Sequence, residues 1–167
     1  MGKSLREPKP TFSDLRKIFD RWTWQEIRWG IQHKMMSAPE VLPYAVKCLE
    51  EDSPLLEPLL DLATEDKYSL VLEQKINVIC QAEGPESERD IKYVWRNVLL
   101  IWLFETEKDD KTLEQKVQLL CDDFGFPDDM RMLIPWMPLM PGEERPELPW
   151  NIRREFKRYL PKHPLPR

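Results

Sequence analysis

Glycine is scarce in this sequence: the 167 residues contain five glycines against sixteen prolines. A loop that cradles a phosphate needs several glycines to bring its backbone N–H groups together, so nucleotide binding through such a loop is excluded. Long apolar runs are missing as well. The longest, Val98 to Phe104, has seven residues, whereas a bilayer-spanning helix needs about 20. The sequence therefore predicts neither a membrane span nor a secretory signal.

Cysteine and histidine are too few and too scattered for a disulfide framework or a zinc site. The cysteines are Cys48, Cys80 and Cys121, and the histidines are His33 and His163. No C-x-x-C pair occurs among them. Each cysteine falls on the apolar side of a predicted helix, where a free thiol acts as a small hydrophobic group. These features predict a protein of the reducing cytoplasm.

No spacing of a nucleophile with a base, and no zinc-hydrolase or kinase motif set, is present. Asp123-Phe124-Gly125 matches the kinase magnesium triplet, but the glycine-rich loop and the His-Arg-Asp loop that accompany it are missing. The sequence therefore predicts no catalytic residues and no cofactor.

Apolar residues recur at spacings of three and four along most of the chain, which is typical of amphipathic helices. Hydroxyl residues followed three positions later by an acid or amide mark helix starts. They are Thr11, Thr23, Ser37 and Thr112. Ser53-Pro54 predicts a further start, and Pro43 and Pro58 predict kinks or later starts. We expect an all-α fold, a single compact domain of seven to nine short helices.

The second half of the chain contains the strongest helical pattern and the densest proline segment. Residues 68–81 favour a helix, with a strand as the alternative, and the most buried helix is expected from about Ser87 onward. Gly125 predicts the end of the following helix. Five prolines between 135 and 149 indicate an extended connector before the C-terminal helix. The predicted organisation is a flexible segment 1–10, a helical domain 11–160 and a proline-rich tail 161–167.

The modest net charge of −5 conceals an acidic body with two basic ends. Residues 1–34 carry +4, residues 35–149 carry −14, and residues 150–167 carry +5. An acidic body repels phosphate backbones, so nucleic-acid binding is not expected. Two alternatives remain open: the carboxylates form a surface for a partner, or they are solvated helix faces onto which the basic ends fold back.

The densest acidic group surrounds Gly125. It consists of Asp122, Asp123, Asp128 and Asp129. Asp128 or Asp129 can cap the next helix, whereas Asp122 and Asp123 lie at a helix C-terminus, where acids oppose the dipole. The alternatives to capping are contact with a basic partner and binding of a hard cation.

Tryptophan supplies the other candidate contacts. Trp22, Trp24 and Trp29 cannot all share one helix face, so we expect at least two of them in the core and leave one for a partner. Trp136 and Trp150 bracket the proline-rich connector, where they anchor the loop or act as a binding hot spot.

Three segments together resemble a small bacterial family of uncharacterised all-helical proteins, over about residues 12–160. The segments are Trp22-Thr23-Trp24 with Glu26 and Gly30; Glu40-Val41 with Tyr44-Ala45; and Asp123-Phe124-Gly125-Phe126-Pro127-Asp128-Asp129-Met130 leading to Ile134-Pro135-Trp136-Met137-Pro138. Similar proteins occur among candidate immunity proteins of bacterial toxin systems. The resemblance implies a binding role and assigns no catalytic residues.

The function predicted from these observations is non-catalytic protein binding, with a basic toxin domain as the partner and Asp122, Asp123, Asp128, Asp129 and Trp136 as contact residues. An acidic surface is steered toward a basic partner by long-range electrostatics. The alternative is a carboxylate-metal hydrolase that uses the same four aspartates. A structural scaffold subunit is a third reading of the sequence.

Overall fold

The computed structural model describes residues 9–50, 54–137, 141–142 and 148–167. Within this part of the chain it contains eight α-helices, two 3-10 helices and no strand, which confirms the all-α class. The α-helices are α1 (Phe12–Ile18), α2 (Trp24–Gln32), α3 (Leu42–Glu50), α4 (Leu56–Ala63), α5 (Leu72–Glu83), α6 (Glu88–Thr106), α7 (Asp110–Asp123) and α8 (Ile152–Lys162). The 3-10 helices are Ala38–Val41 and Asp128–Leu133. No helix of the described residues is long and apolar enough to cross a membrane.

Local capping chemistry sets the first helix starts, as the sequence predicts. The Asp14 N–H donates to Thr11 Oγ1 at 3.1 Å, and the Thr11 N–H donates to the Asp14 carboxylate at 3.0 Å. Thr23 and Glu26 repeat this reciprocal arrangement at the start of α2. Each pair satisfies two backbone donors that the first helical turn leaves without a partner.

The predicted start at Thr112 is wrong, because α7 begins three residues earlier. The carboxylate of Asp109 accepts from both the backbone N–H of Thr112 at 2.9 Å and its hydroxyl at 2.6 Å. Asp109 is therefore the N-cap, and the Thr112 hydroxyl donates to this cap instead of accepting from the helix.

Proline fixes where α3 and α4 begin. Pro43 is the second residue of α3, and a 3-10 helix occupies the stretch between Ser37 and α3. Pro58 is the third residue of α4. A proline in the first turn costs no helical hydrogen bond, since the N–H that it lacks would have no partner there. The predicted cap at Ser53 lies outside the described residues, and Pro54 precedes α4 instead of opening it.

The segment 68–81 is helical only in its second part. Helix α5 begins at Leu72, so the strand alternative is wrong and the helix starts four residues later than predicted. Gly84 ends it with φ of +98°, a conformation that glycine adopts without strain.

The chain divides into two compact units, and the boundary falls within α6 after Trp95. We call residues 10–95 the N-terminal unit and residues from 96 onward the C-terminal unit. The core of the N-terminal unit is rich in aromatic rings, which are Phe12, Phe19, Trp22, Trp24, Trp29, Tyr44 and Trp95. Trp95 lies directly against Gly30, and its indole N–H donates to the Glu26 carbonyl at 2.8 Å.

Carboxylates cap helix starts across the N-terminal unit. Glu83, at the end of α5, accepts from the backbone N–H groups of Trp24 at 2.9 Å and Gln25 at 3.0 Å. Glu40 accepts from the Phe12 N–H at 3.0 Å in the same way. These contacts fix the starts of α1 and α2 to elements distant in sequence, and they place negative charge where the helix dipole favours it.

The C-terminal unit joins α8 to the end of α6 and to α7. The Tyr159 hydroxyl donates to the Asn97 side-chain oxygen at 2.6 Å in the interior. Arg153 bonds the Asp110 carboxylate at 2.5 Å and the Glu107 carbonyl at 2.6 Å. Arg153 of the basic C-terminal segment therefore folds back onto residues of the acidic body. This agrees with one of the two alternatives that the charge pattern left open.

Candidate partner-binding surface

Helix α7 ends in a turn motif that lies between Asp122-Asp123 and Asp128-Asp129, the two halves of the acidic group. The Gly125 N–H donates to the Asp122 carbonyl at 3.0 Å, and the Phe126 N–H donates to the Cys121 carbonyl at 2.8 Å. This is the bonding pattern of a Schellman motif. Gly125 has φ of +74°, which confirms the predicted helix end and its physical cause.

The residue that follows this glycine is half of an exposed aromatic pair. The rings of Phe126 and Trp136 lie edge to face, with centroids 6.0 Å apart. Trp136 is 60% exposed and Phe126 40% exposed. An edge-to-face pair is favourable in itself, but its exposure keeps a large apolar area in water. The sequence prediction included Trp136 and missed Phe126, although the glycine helix end was a signal for an apolar residue directly after it.

Three exposed carboxylates lie within four residues of Phe126 in the chain. Asp122 and Asp123 end α7 and Asp128 opens the second 3-10 helix, and all three are exposed. Asp128 forms an ion pair with Arg131 at 2.7 Å. We call Asp122, Asp123, Phe126, Asp128 and Trp136 the acidic-aromatic surface.

Asp129 differs from the other three aspartates. It forms an ion pair with Arg96 of α6, whose side chain is almost completely buried. The predicted capping role of Asp128 or Asp129 is wrong, because Pro127 is the N-cap and no side chain accepts a bond there. Both aspartates lie within the first turn and bond to arginines instead.

A cavity of about 340 Å³ lies beside Asp128 and Asp129. Arg158, Lys162 and His163 of the C-terminal segment also line it. The sequence shows that this segment is basic but not that it lies near the aspartates, so these three residues were missed. Burial is the main cause that lowers the pKa of His163 below 6.5, and its ring stacks on Tyr159 at 4.2 Å.

The four aspartates form no metal site in the described part of the chain. No group of three or more Asp, Glu, His or Cys side chains there could hold a metal ion. The pairing of Asp129 with Arg96 and of Asp128 with Arg131 accounts for two of the four carboxylates. The geometry therefore offers no support for the carboxylate-metal hydrolase.

The other tryptophans and His33, which the sequence analysis also considered, pack within the fold. Trp22, Trp24 and Trp29 are all buried, which confirms that at least two of them lie in the core and leaves none of the three for a partner. His33 is the C-cap of α2, and its Nδ1 lies 2.8 Å from the Trp29 carbonyl oxygen. Trp150 is half-buried.

Two of the cysteines have the character of core residues. Cys80 and Cys121 are buried, and burial raises the pKa of each thiol to about 11. A thiol with so high a pKa is protonated at neutral pH and is a poor nucleophile.

Comparison with known proteins places the chain in one family. A family model described as an uncharacterised protein conserved in bacteria (DUF2247) matches residues 13–163. This range contains the acidic-aromatic surface and agrees with the extent of the resemblance found in the sequence. No curated protein and no solved structure matches the chain. The chain therefore belongs to DUF2247, a family of uncharacterised proteins conserved in bacteria.

Proposed function

We propose that this protein is a non-catalytic binding module that captures a basic protein partner on its acidic-aromatic surface. The observation that carries the proposal is the exposed pair of Phe126 and Trp136 beside three exposed carboxylates. Tryptophan is enriched among the residues that dominate binding energy at protein interfaces. Partly exposed aromatic rings with charged residues at their edge have the anatomy of an interface centre and its rim.

The partner is a basic toxin domain, and the protein acts as its immunity protein. Asp122, Asp123 and Asp128 are exposed and carry the charge that attracts such a domain, whereas Asp129 is partly buried against Arg96. Complementary charge raises the rate of association and suppresses wrong partners. Occupation of a basic active face by an acidic protein blocks access of a negatively charged substrate without any bond being broken.

The test first searches the genes adjacent to this one for a toxin with a basic domain, and then titrates that domain against the protein by calorimetry. We expect a one-to-one complex. Trp136→Ala should weaken it about 30-fold, the loss of about 2 kcal/mol that is usual for a tryptophan at an interface centre. Trp150→Ala, which changes a half-buried tryptophan outside the acidic-aromatic surface, is the matched control and should leave the affinity unchanged.

Association kinetics test the electrostatic part separately. Asn substitution at Asp122, Asp123 and Asp128 together should lower the association rate constant about tenfold at low salt, with a smaller effect at high salt. Unchanged association of this variant would contradict steering by the acidic-aromatic surface. Full toxin neutralisation by the Trp136→Ala and triple-Asn variants would contradict the assignment of binding to this surface, and failure of the unsubstituted protein to neutralise the toxin would contradict the proposed function itself.

A further inference from the structure

Exposed apolar side chains are concentrated in one part of the N-terminal unit. In the described residues ten large apolar side chains are exposed, and seven of them lie between residues 46 and 78. Leu70 is 97% exposed and Tyr68 79% exposed in the turn before α5, and Leu56 and Leu60 on α4 are each half exposed. Single exposed apolar residues are ordinary, whereas exposed apolar residues that are neighbours on one helix face indicate an interaction site.

Helix α4 presents these leucines in a regular arrangement. Leu56 and Leu60 are four residues apart and therefore lie on the same face of the helix. Glu57 and Asp61 form the adjacent row and are exposed as well. The buried side of the same helix carries Leu59 and Leu62, so α4 is apolar on its outer face in addition to the face that packs in the core.

The charge around this face is negative. Residues 46–78 contain eight acidic and three basic residues. The three lysines are already engaged. Lys47 donates to the Asp20 carbonyl at 2.8 Å, Lys75 pairs with Glu65 at 2.5 Å, and Lys67 lies over the Tyr68 ring at 5.0 Å.

We infer that the outer face of α4 is a docking site for a cationic amphipathic helix. Apolar residues of such a helix, spaced three and four apart, cover Leu56 and Leu60, and its lysines or arginines pair with Glu57 and compete with Lys75 for Asp61, which Lys75 contacts at 3.0 Å. The excess of negative charge disfavours three other occupants: an anionic membrane, a nucleic acid and the same face of a second copy. The acidic-aromatic surface is in the other unit, so this inference is independent of the proposed function.

The test uses a labelled peptide of about 15 residues, long enough to form a helix when bound, built from leucine and lysine at helical spacing. Fluorescence anisotropy measures its binding to the full-length protein. The Leu56→Ser/Leu60→Ser double variant should weaken binding about tenfold, because contact with two half-exposed leucines is lost. Leu148→Ser changes an exposed leucine outside both proposed binding surfaces and should bind the peptide as the unsubstituted protein does.

Two control peptides separate helical fit from charge alone. A peptide of the same composition with leucine and lysine in strict alternation cannot form an amphipathic helix, and a leucine–glutamate helix carries the wrong charge; neither should bind. Glu57→Lys retains both leucines and should also weaken binding, which provides a second variant if the serine substitutions disturb folding.

Several results would overturn the inference. They are equal binding of the alternating peptide, unchanged affinity in the serine variant with unaltered circular dichroism, and binding of phosphatidylserine vesicles that depends on Leu56 and Leu60. A dimer on a sizing column that the serine substitutions convert to a monomer would assign the face to a second copy and would equally count against a cationic helix.

Discussion

Carboxylates stabilise the two units of this protein through different partners. In the N-terminal unit Glu26, Glu40 and Glu83 accept from backbone N–H groups at helix starts. In the C-terminal unit Asp109 also caps a helix, α7, but Asp129, Asp110 and Glu155 pair with arginines. A cap joins an acid to a helix end and needs no second charge, whereas an ion pair leaves a buried cation if its acid is removed. The units should therefore respond differently to the loss of a carboxylate.

The largest effect is expected from Gly30→Ala in the aromatic core of the N-terminal unit. A Cβ at Gly30 would lie 2.2 Å from the Trp95 ring, which is far inside van der Waals contact. We expect a loss of about 3 kcal/mol in the free energy of unfolding, measured by urea denaturation. Gly125→Ala meets no atom within 4 Å and is strained only through its φ of +74°, so it should cost about 1 kcal/mol. Equal losses in the two variants would contradict close packing at Gly30.

Asp129→Asn should have the next largest effect, and it tests the C-terminal side of the comparison. The substitution leaves the buried Arg96 guanidinium without its counter-charge, at a cost of about 2 kcal/mol once partial exposure of Asp129 is considered. Asp128→Asn removes an exposed pair with Arg131 and should change stability by less than about 0.5 kcal/mol. Thermal and urea unfolding of both variants measure the difference, and similar values would show that the Arg96 pair contributes little.

Glu83→Ala tests the N-terminal side. Two backbone N–H groups of α2 lose their acceptor, and we expect a loss of about 1 kcal/mol, typical of a helix cap. Gln81→Ala, an exposed position on the same helix, should be neutral within about 0.5 kcal/mol. If Glu83→Ala proves as costly as Asp129→Asn, the proposed difference between caps and ion pairs is wrong.

The smallest expected effect is a pH dependence from His163 in the C-terminal unit. Its pKa is lowered from 6.5 mainly by burial, so the folded state favours the neutral ring. The contribution to stability is fully present above pH 6.5 and is lost as pH falls through the lower pKa of the folded state. His163→Phe retains a ring to stack on Tyr159 and should flatten the melting temperature between pH 7 and 5. An equally steep decline in this variant would assign the pH dependence to other groups.

Much of the helical framework could be predicted because its signals are local. Thr11 and Thr23 each bond a residue three positions away, and Gly125 ends α7 through its own backbone conformation. The miss at Thr112 has the same local origin. Asp109 and Thr112 are both good caps in sequence, and the choice between them depends on which side chain accepts and which donates.

The candidate surface was only partly predictable, because exposure depends on packing. Four aspartates within eight residues look alike in sequence, yet Asp129 is partly buried because it pairs with Arg96, which lies 33 positions earlier. Tyr68 and Leu70 belong to the segment 68–81 that the sequence predicts to be helical, but they lie exposed in a turn. No rule based on sequence spacing relates Asp129 to Arg96, and none predicts which residues of a segment stay exposed.

The amino-acid sequence alone determined that this chain is helical, where α1 and α2 begin, where α7 ends, and which segments are acidic. Those properties depend on interactions across three or four residues, which the order of residues specifies directly. Tertiary packing decided which carboxylates meet arginines, which cap a distant helix, and which aromatic and aliphatic side chains stay in contact with water. These outcomes depend on contacts between residues tens of positions apart, which exist only after the helices have packed.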